Sequence, residues 1–306
     1  MSLALSRIGG VLFEQPHLYH PRKAETLVRM LGPRLTGFEV NVINGDGGVD
    51  HVAFGNGRPS AGVLGDRLGR AYDRAGYAPF HVVDNVAIIP IEGTLVQKGG
   101  WVGSYSGETS YQGLQVQIAR ARRPEVKGVA FEIDSFGGMV NGVFETADAI
   151  RQLSKEKPTI AILTDYAYSA AYMLASQARQ IVVPEDGGAG SIGAIILHAD
   201  YSGNLEQDGV KVSIIRSGEH KAEGNPFEAL PVELREEWKA RVDDIRDRFA
   251  GVVARGRGKR MTKAAALKTE ARAYSAKDAL ALGLVDAVGP AQEAFASFIK
   301  AVNQKG

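Results

Sequence analysis

From residue 85 onward the chain alternates short apolar runs with segments of helical spacing, and this alternation constrains its fold more than any other feature. Val86-Ala87-Ile88-Ile89-Pro90-Ile91 is a near-continuous apolar run of buried-strand length. Tyr111–Arg122 follows with helical spacing, Leu114 and Ile118 falling on one face. The pattern then repeats, with a strand over 126–133, a helix over 143–153, a strand over 159–163, a helix over 169–178 and a strand over 180–183. Strands are also expected at Ile192–Leu197 and Val210–Ile215, with a short helix around Leu205 between them. Strands interleaved with helices predict α/β units around one sheet. The rest reads as helix. Glu233–Val253 is long and charged, entered after Pro231 and left at Gly256 and Gly258, and further helices follow over 262–268, 275–282 and 291–302.

Residues 1–84 read differently, as a helical and loop extension. Lys23–Leu31 has helical spacing, while Asn44-Gly45-Asp46-Gly47-Gly48 and Gly55-Asn56-Gly57-Arg58-Pro59 are turn-rich. The Asn44–Asp50 stretch lacks the closing glutamate of a calcium loop and reads as an ordinary loop. The expected organisation is an extension over 1–84, an α/β domain over 85–290 and a C-terminal helix over 291–306.

Composition excludes several function classes. The 306 residues carry a net charge of only +1, so no global field favours nucleic acid or an anionic membrane surface. With no cysteine, the chain has no disulfide, thiol nucleophile or zinc–thiolate site. No apolar run is long enough to span a bilayer, and a soluble protein that stays in the cytoplasm is expected.

Three places carry candidate chemistry. Asp134-Ser135-Phe136-Gly137-Gly138 ends a strand, and paired glycines there leave backbone amides free to face a ligand, as an oxyanion hole requires. A tight structural turn would use the same residues. Ser169 sits where a strand becomes a small-residue helix, placed either as a helix cap or as a nucleophile backed by the helix amides. Lys221 follows Arg216-Ser217-Gly218-Glu219-His220 in an irregular connection and is either a solvated loop lysine or a general base. A solvated lysine is about 99.9% protonated at pH 7, so the base role requires an apolar, enclosed site.

Competing motifs are weaker. Gly188-Ala189-Gly190-Ser191-Ile192-Gly193 fits the dinucleotide fingerprint, but a strand-like Ile195-Ile196-Leu197 follows where a helix is needed. His198 and His220 lack the nucleophile-elbow motif that would make them members of a triad. The cluster Arg255-Gly256-Arg257-Gly258-Lys259-Arg260 reads as a solvated helix end.

In this order the motifs resemble the S49 serine peptidases, which include signal peptide peptidase A and lambda-type phage head proteases. The resemblance covers about residues 84–290 and rests on Ile91-Glu92-Gly93-Thr94-Leu95, the 134–140 glycine turn, Tyr168-Ser169-Ala170, Gly190-Ser191-Ile192-Gly193, Ser217-Gly218-Glu219-His220-Lys221 and Tyr274–Asp286. It is nearest to the phage head proteases, through Pro90–Val96 and Gly224-Asn225-Pro226-Phe227. Phe136 departs from the proline that family members place between the serine and the glycines. The resemblance implies a crotonase/ClpP-like fold of ββα units with a helical C-terminal extension. It makes Ser169 the nucleophile, Lys221 the general base and Ser191 the residue that orients the lysine, with oxyanion amides from Gly137, Gly138 and Ala170. It implies no cofactor, no metal and no nucleic acid. The implied setting is a homo-oligomeric ring or dome in the host cytoplasm or procapsid interior, cleaving scaffold, capsid or portal proteins. Alternatives are degradation of membrane-released peptides in the manner of a signal peptide peptidase, an acyl-CoA hydratase or isomerase on the crotonase fold, and a non-catalytic scaffold.

Overall fold

The computed structural model describes residues 16–19, 66–76, 78–99, 101–105 and 107–304. The expected helix at Lys23–Leu31 and the two turn-rich stretches after it lie outside those residues. In chain order the elements are β1 (His17–Tyr19), α1 (Arg67–Ala75), β2 (His81–Val83), β3 (Val86–Glu92), β4 (Thr94–Val96), β5 (Ser104–Tyr105), β6 (Glu108–Ser110) and α2 (Tyr111–Ala121). There follow β7 (Gly128–Ser135), β8 (Gly137–Met139), α3 (Val143–Glu156), β9 (Thr159–Tyr168), α4 (Ala170–Ala175), β10 (Gln180–Val183), β11 (Gly188–Gly190) and α5 (Ser202–Gln207). The chain closes with α6 (Val232–Arg257), α7 (Lys263–Lys268), β12 (Ala273–Ser275), α8 (Ala276–Ala281), β13 (Ala287–Val288) and α9 (Ala291–Asn303).

The main sheet is parallel at its centre, where β3 pairs with β7 and β7 with β9. Beyond β9 the next position is shared: β10 pairs in parallel with its first half and β11 with its second. A smaller sheet runs β1-β8-β4-β6-β5. Twice the chain leaves the main sheet for the smaller one before entering a helix, from β3 through β4, β5 and β6 to α2 and from β7 through β8 to α3. The architecture is therefore mixed α/β with a helical C-terminal region, as the alternating pattern predicts. Pro90 is tolerated inside β3 because β2 pairs only as far as Ile88, so no neighbour asks for its missing N–H on that side.

Both faces of the main sheet are buried, which is why its strands read as continuous apolar runs. Ile89, Ile91, Phe131 and Leu163 pack with Leu114, Ile150, Met173 and Phe249 from the helices. On the other face Val86, Ala130, Ile160 and Ile162 are covered by Phe295, Phe298 and Val302 of α9.

Three expectations are corrected. Ile192–Leu197 forms no strand beyond one bridge at Ile195, and Val210–Ile215 forms none. Both were read from apolar content, but a strand exists only where a neighbour accepts its backbone bonds. In the second segment Val210, Val212 and Ile215 are instead exposed, Ile215 at 99%. The basic cluster at the end of α6 is solvated only in part: Arg257 is buried and joins Asp286 in a bidentate pair, both N–H···O distances 2.8 Å.

Candidate active site

Ser169 stands between the last residue of β9 and the first of α4. Three other helices show what a capping hydroxyl does here. Ser110, Thr262 and Ser275 have extended backbones, and each accepts a hydrogen bond from the N–H three residues on. Ser169 does neither. Its backbone is left-handed, with φ 56° and ψ −121°, and its hydroxyl caps nothing. That conformation costs a non-glycine residue about 1–3 kcal/mol and persists only where the surroundings impose it. The surroundings do so here: the Ser169 N–H donates to Gly190 O at 2.9 Å, and its carbonyl accepts from Met173 N–H at 3.0 Å. The hydroxyl lies 3.5 Å from Gly193 O, at the limit of a hydrogen bond. The residue is fully buried.

The paired glycines lie against this serine, and each is glycine for a separate steric reason. Gly137 is left-handed, with φ +99°, and a Cβ there would meet Leu18 O at 2.1 Å, Ser169 Cβ at 3.0 Å and Ala170 N at 3.1 Å. At Gly138 a Cβ would sit 1.9 Å from Leu95 O, because β4 runs alongside. The turn itself is held by Ser135, whose hydroxyl donates to Gly93 O at 2.6 Å and accepts from Gly137 N–H at 3.1 Å. Gly137 has therefore already given its amide to Ser135.

Ser191 closes the third side. It follows β11, whose Gly190 is the register partner of Tyr168, so Ser191 and Ser169 leave neighbouring strands at the same level. Ser191 is also left-handed, with φ 58°, and its N–H donates to Arg272 O at 2.9 Å. Ser169, Gly137, Gly138, Ala170 and Ser191 are thus brought to one place from three segments distant in sequence.

Lys221 is not brought there. It sits in an exposed turn, its N–H donating to Gly218 O at 3.3 Å. Neither histidine replaces it. Nδ1 of His220 is 2.6 Å from a Glu223 carboxylate oxygen, and that bond raises the imidazole above its ordinary pKa. Nε2 of His198 is 3.2 Å from Asn225 O, and its ring packs against Trp238.

Sequence reasoning missed an aromatic cluster beside the site. The Phe136 ring centroid lies 5.4 Å from that of Tyr166 and 5.6 Å from that of Tyr168, and the two tyrosines stack at 5.3 Å. Phe136 thereby ties the glycine turn to the residues just before Ser169, which gives the residue standing in the family's proline position a packing role. An aromatic at the centre of one motif and two before the serine was the available signal. A cavity of about 340 Å³ lies elsewhere, on the opposite face of the sheet, lined by Ile88, Ala130, Glu132, Ile162, Thr164 and Phe295 and containing none of the site residues.

The model of Peptidase family S49 matches residues 151–305, a span holding Ser169, Ser191 and Lys221. This chain belongs to peptidase family S49. Head-tail preconnector protein GP5 of Enterobacteria phage P21 is 34% identical to it, over 98% of this chain and 58% of the relative. Capsid assembly protease C of Escherichia phage lambda is 33% identical, over 92% of this chain and 62% of the relative. The S49 chain described here thus spans 58% and 62% of the lengths of these two relatives. Among solved structures, ClpP1 from Listeria monocytogenes is similar at 14% identity and a TM-score of 0.40, covering 66% of this chain and 91% of that one. Among the described residues no helix is long and apolar enough to cross a membrane.

Proposed function

We propose that the chain is a serine endopeptidase with Ser169 as nucleophile and Lys221 as general base, acting on scaffold, capsid or portal proteins during phage or prophage head assembly. The observation that carries this reading is the backbone of Ser169. A buried, left-handed serine at a strand-to-helix junction, whose hydroxyl leaves the helix uncapped, has the geometry of a nucleophile held for attack. The phage setting is supported by the two phage relatives.

In the proposed reaction Ser169 Oγ attacks the carbonyl carbon of the scissile bond while Lys221 Nζ takes the hydroxyl proton. Negative charge develops on the carbonyl oxygen opposite the amides of Gly138 and Ala170. The C–N bond breaks as Lys221 returns the proton to the leaving amine, and water then releases the acyl group by the same path. Ser191 orients the lysine amine. The exposed segment that carries Lys221 has to close over Ser169 for the amine to lose its water, and packing against a neighbouring copy in a homo-oligomer supplies a cover for Val210, Val212 and Ile215. Gly137 contributes its left-handed backbone rather than a free amide.

Incubation of the purified protein with an unstructured protein or a capsid scaffold, beside Ser169→Ala and Lys221→Ala, tests the assignment. Both substitutions are expected to reduce cleavage by at least about a thousandfold. Equal cleavage by all three proteins sinks the dyad. Turnover of crotonyl-CoA without proteolysis replaces the peptidase reading with the hydratase.

A further inference from the structure

We propose that the chain carries an internal pseudosubstrate: β1, residues His17–Tyr19, fills the groove through which Ser169 receives peptide. The inference rests on the peptidase reading, and its test separates the two.

β1 pairs with segments far from it in sequence. On one side it pairs antiparallel with β8, in the register His17 with Met139, Leu18 with Gly138 and Tyr19 with Gly137. On the other side His17 exchanges both backbone bonds with Ile195, N–H to O at 2.7 Å and O from N–H at 2.9 Å. The two walls of this slot are the arms that flank the serine. β8 continues from the glycine turn, and Ile195 follows Ser191 and Gly193. A segment that inserts as an added strand between two backbone edges is the mode by which extended peptides are recognised.

The register places a carbonyl where chemistry would need one. Successive residues of an extended strand turn their backbone groups to opposite sides. His17 spends its pair on Ile195, so the N–H and C=O of Leu18 turn toward β8, where its register partner is Gly138. The Cβ position of Gly137 that lies 2.1 Å from Leu18 O also lies 3.0 Å from Ser169 Cβ and 3.1 Å from Ala170 N. The Leu18 carbonyl oxygen, the serine and the first amide of α4 therefore share one locus. The Leu18 side chain is fully buried, in the same apolar cluster as Leu95, Tyr111 and Met173. The groove thus takes an extended peptide with a leucine-like side chain at the position whose carbonyl meets the oxyanion amides. While β1 occupies it, an outside peptide binds only to the fraction of molecules in which the strand has left.

The test uses the full chain carrying Ser169→Ala, so that binding is read without turnover. The probe is a fluorescein-labelled peptide spanning residues 14–22, followed by anisotropy. Adding Leu18→Asp to the protein is expected to tighten probe binding about tenfold, by raising the open fraction. The same peptide carrying Leu18→Asp is expected to bind neither protein. Equal affinity of the probe for both proteins, or binding indifferent to the leucine, overturns the proposal. Should Leu18→Asp fail to fold, His17→Pro removes the N–H given to Ile195 and leaves Leu18 in place, with the same expectation. With Ser169 restored, the open variants are expected to cleave labelled casein about tenfold faster at low substrate concentration. Leucine-dependent probe binding without proteolysis by any protein removes the serine–lysine chemistry and keeps the groove. Proteolysis that needs Ser169 but is indifferent to residue 18 removes the pseudosubstrate and keeps the chemistry.

Discussion

At the scale of single residues, the backbone sets one serine apart from the helix caps it resembles. In sequence, Ser169, Ser110 and Ser275 all precede helices and look alike. Only Ser169 has a positive φ, and only its hydroxyl is left uncommitted to the helix. That difference predicts stored strain. Ser169→Gly is expected to raise stability by about 1 kcal/mol while removing activity, because glycine adopts φ 56° at no steric cost. A thermal melt beside the parent checks this, and a lower melting temperature would mean that the serine hydroxyl stabilises the fold instead. Gly138→Ala is expected to act oppositely. Its Cβ would fall 1.9 Å from Leu95 O, a backbone atom that cannot turn away, so a loss of more than about 2 kcal/mol is expected in urea unfolding.

At the scale of elements, two carboxylates give opposite pH signatures. Asp286 fastens the start of β13 to the end of α6. Burial by itself would raise its pKa, but bidentate Arg257, then Arg260 at 2.8 Å and the Ile181 N–H at 2.7 Å outweigh burial and hold the carboxyl below its ordinary value. A depressed folded pKa contributes stability that is present above the unfolded value, about 4, and is lost as pH falls through the folded one. Asp286→Asn is therefore expected to cost about 3 kcal/mol at pH 7, since it leaves buried Arg257 unpaired, and to cost progressively less in acid. Urea midpoints across pH 3–7 read both effects. Glu92, at the end of β3, runs the other way. Glu92 is exposed at the strand end, but partial desolvation of its carboxyl first, then the charges of Glu132 and Asp134, push that carboxyl up. A raised folded pKa favours the fold below the unfolded value and disfavours it as pH rises through the folded one. Glu92→Gln is expected to raise the melting temperature at pH 7 and to leave it unchanged below about pH 4, where the carboxyl is neutral in both states. The central strands and nearly all the helices were legible because continuous apolar runs and helical stripes each encode burial. Ile192–Leu197 and Val210–Ile215 carried the same apolar signal without a partner strand. β1 carried no signal, because a strand of such length is defined by its neighbours alone.

For the molecule as a whole, the position of Lys221 is the telling fact. Five candidate site residues converge through the meeting of two sheets, while the candidate base Lys221 lies on an exposed segment beside uncovered Val210, Val212 and Ile215. A lysine so placed contributes nothing to packing. Lys221→Ala is accordingly expected to leave unfolding free energy within about 0.5 kcal/mol of the parent and yet to abolish cleavage. Closure of the segment is read by hydrogen exchange: after phosphonate labelling of Ser169, the amides of 210–221 are expected to slow. Unchanged exchange together with intact activity in Lys221→Ala would assign the base to another group.

The amino-acid sequence by itself determined the α/β alternation, the family motifs and the identity of the residues able to do chemistry, because burial period and residue type are local properties. It could not tell whether Ser169 caps its helix or whether Arg257 lies at a solvated end or in a buried ion pair, and it gave no hint that the chain's own strand lies against Ser169. Those depend on φ angles and neighbours imposed by contacts across the fold, and only the tertiary structure supplies them.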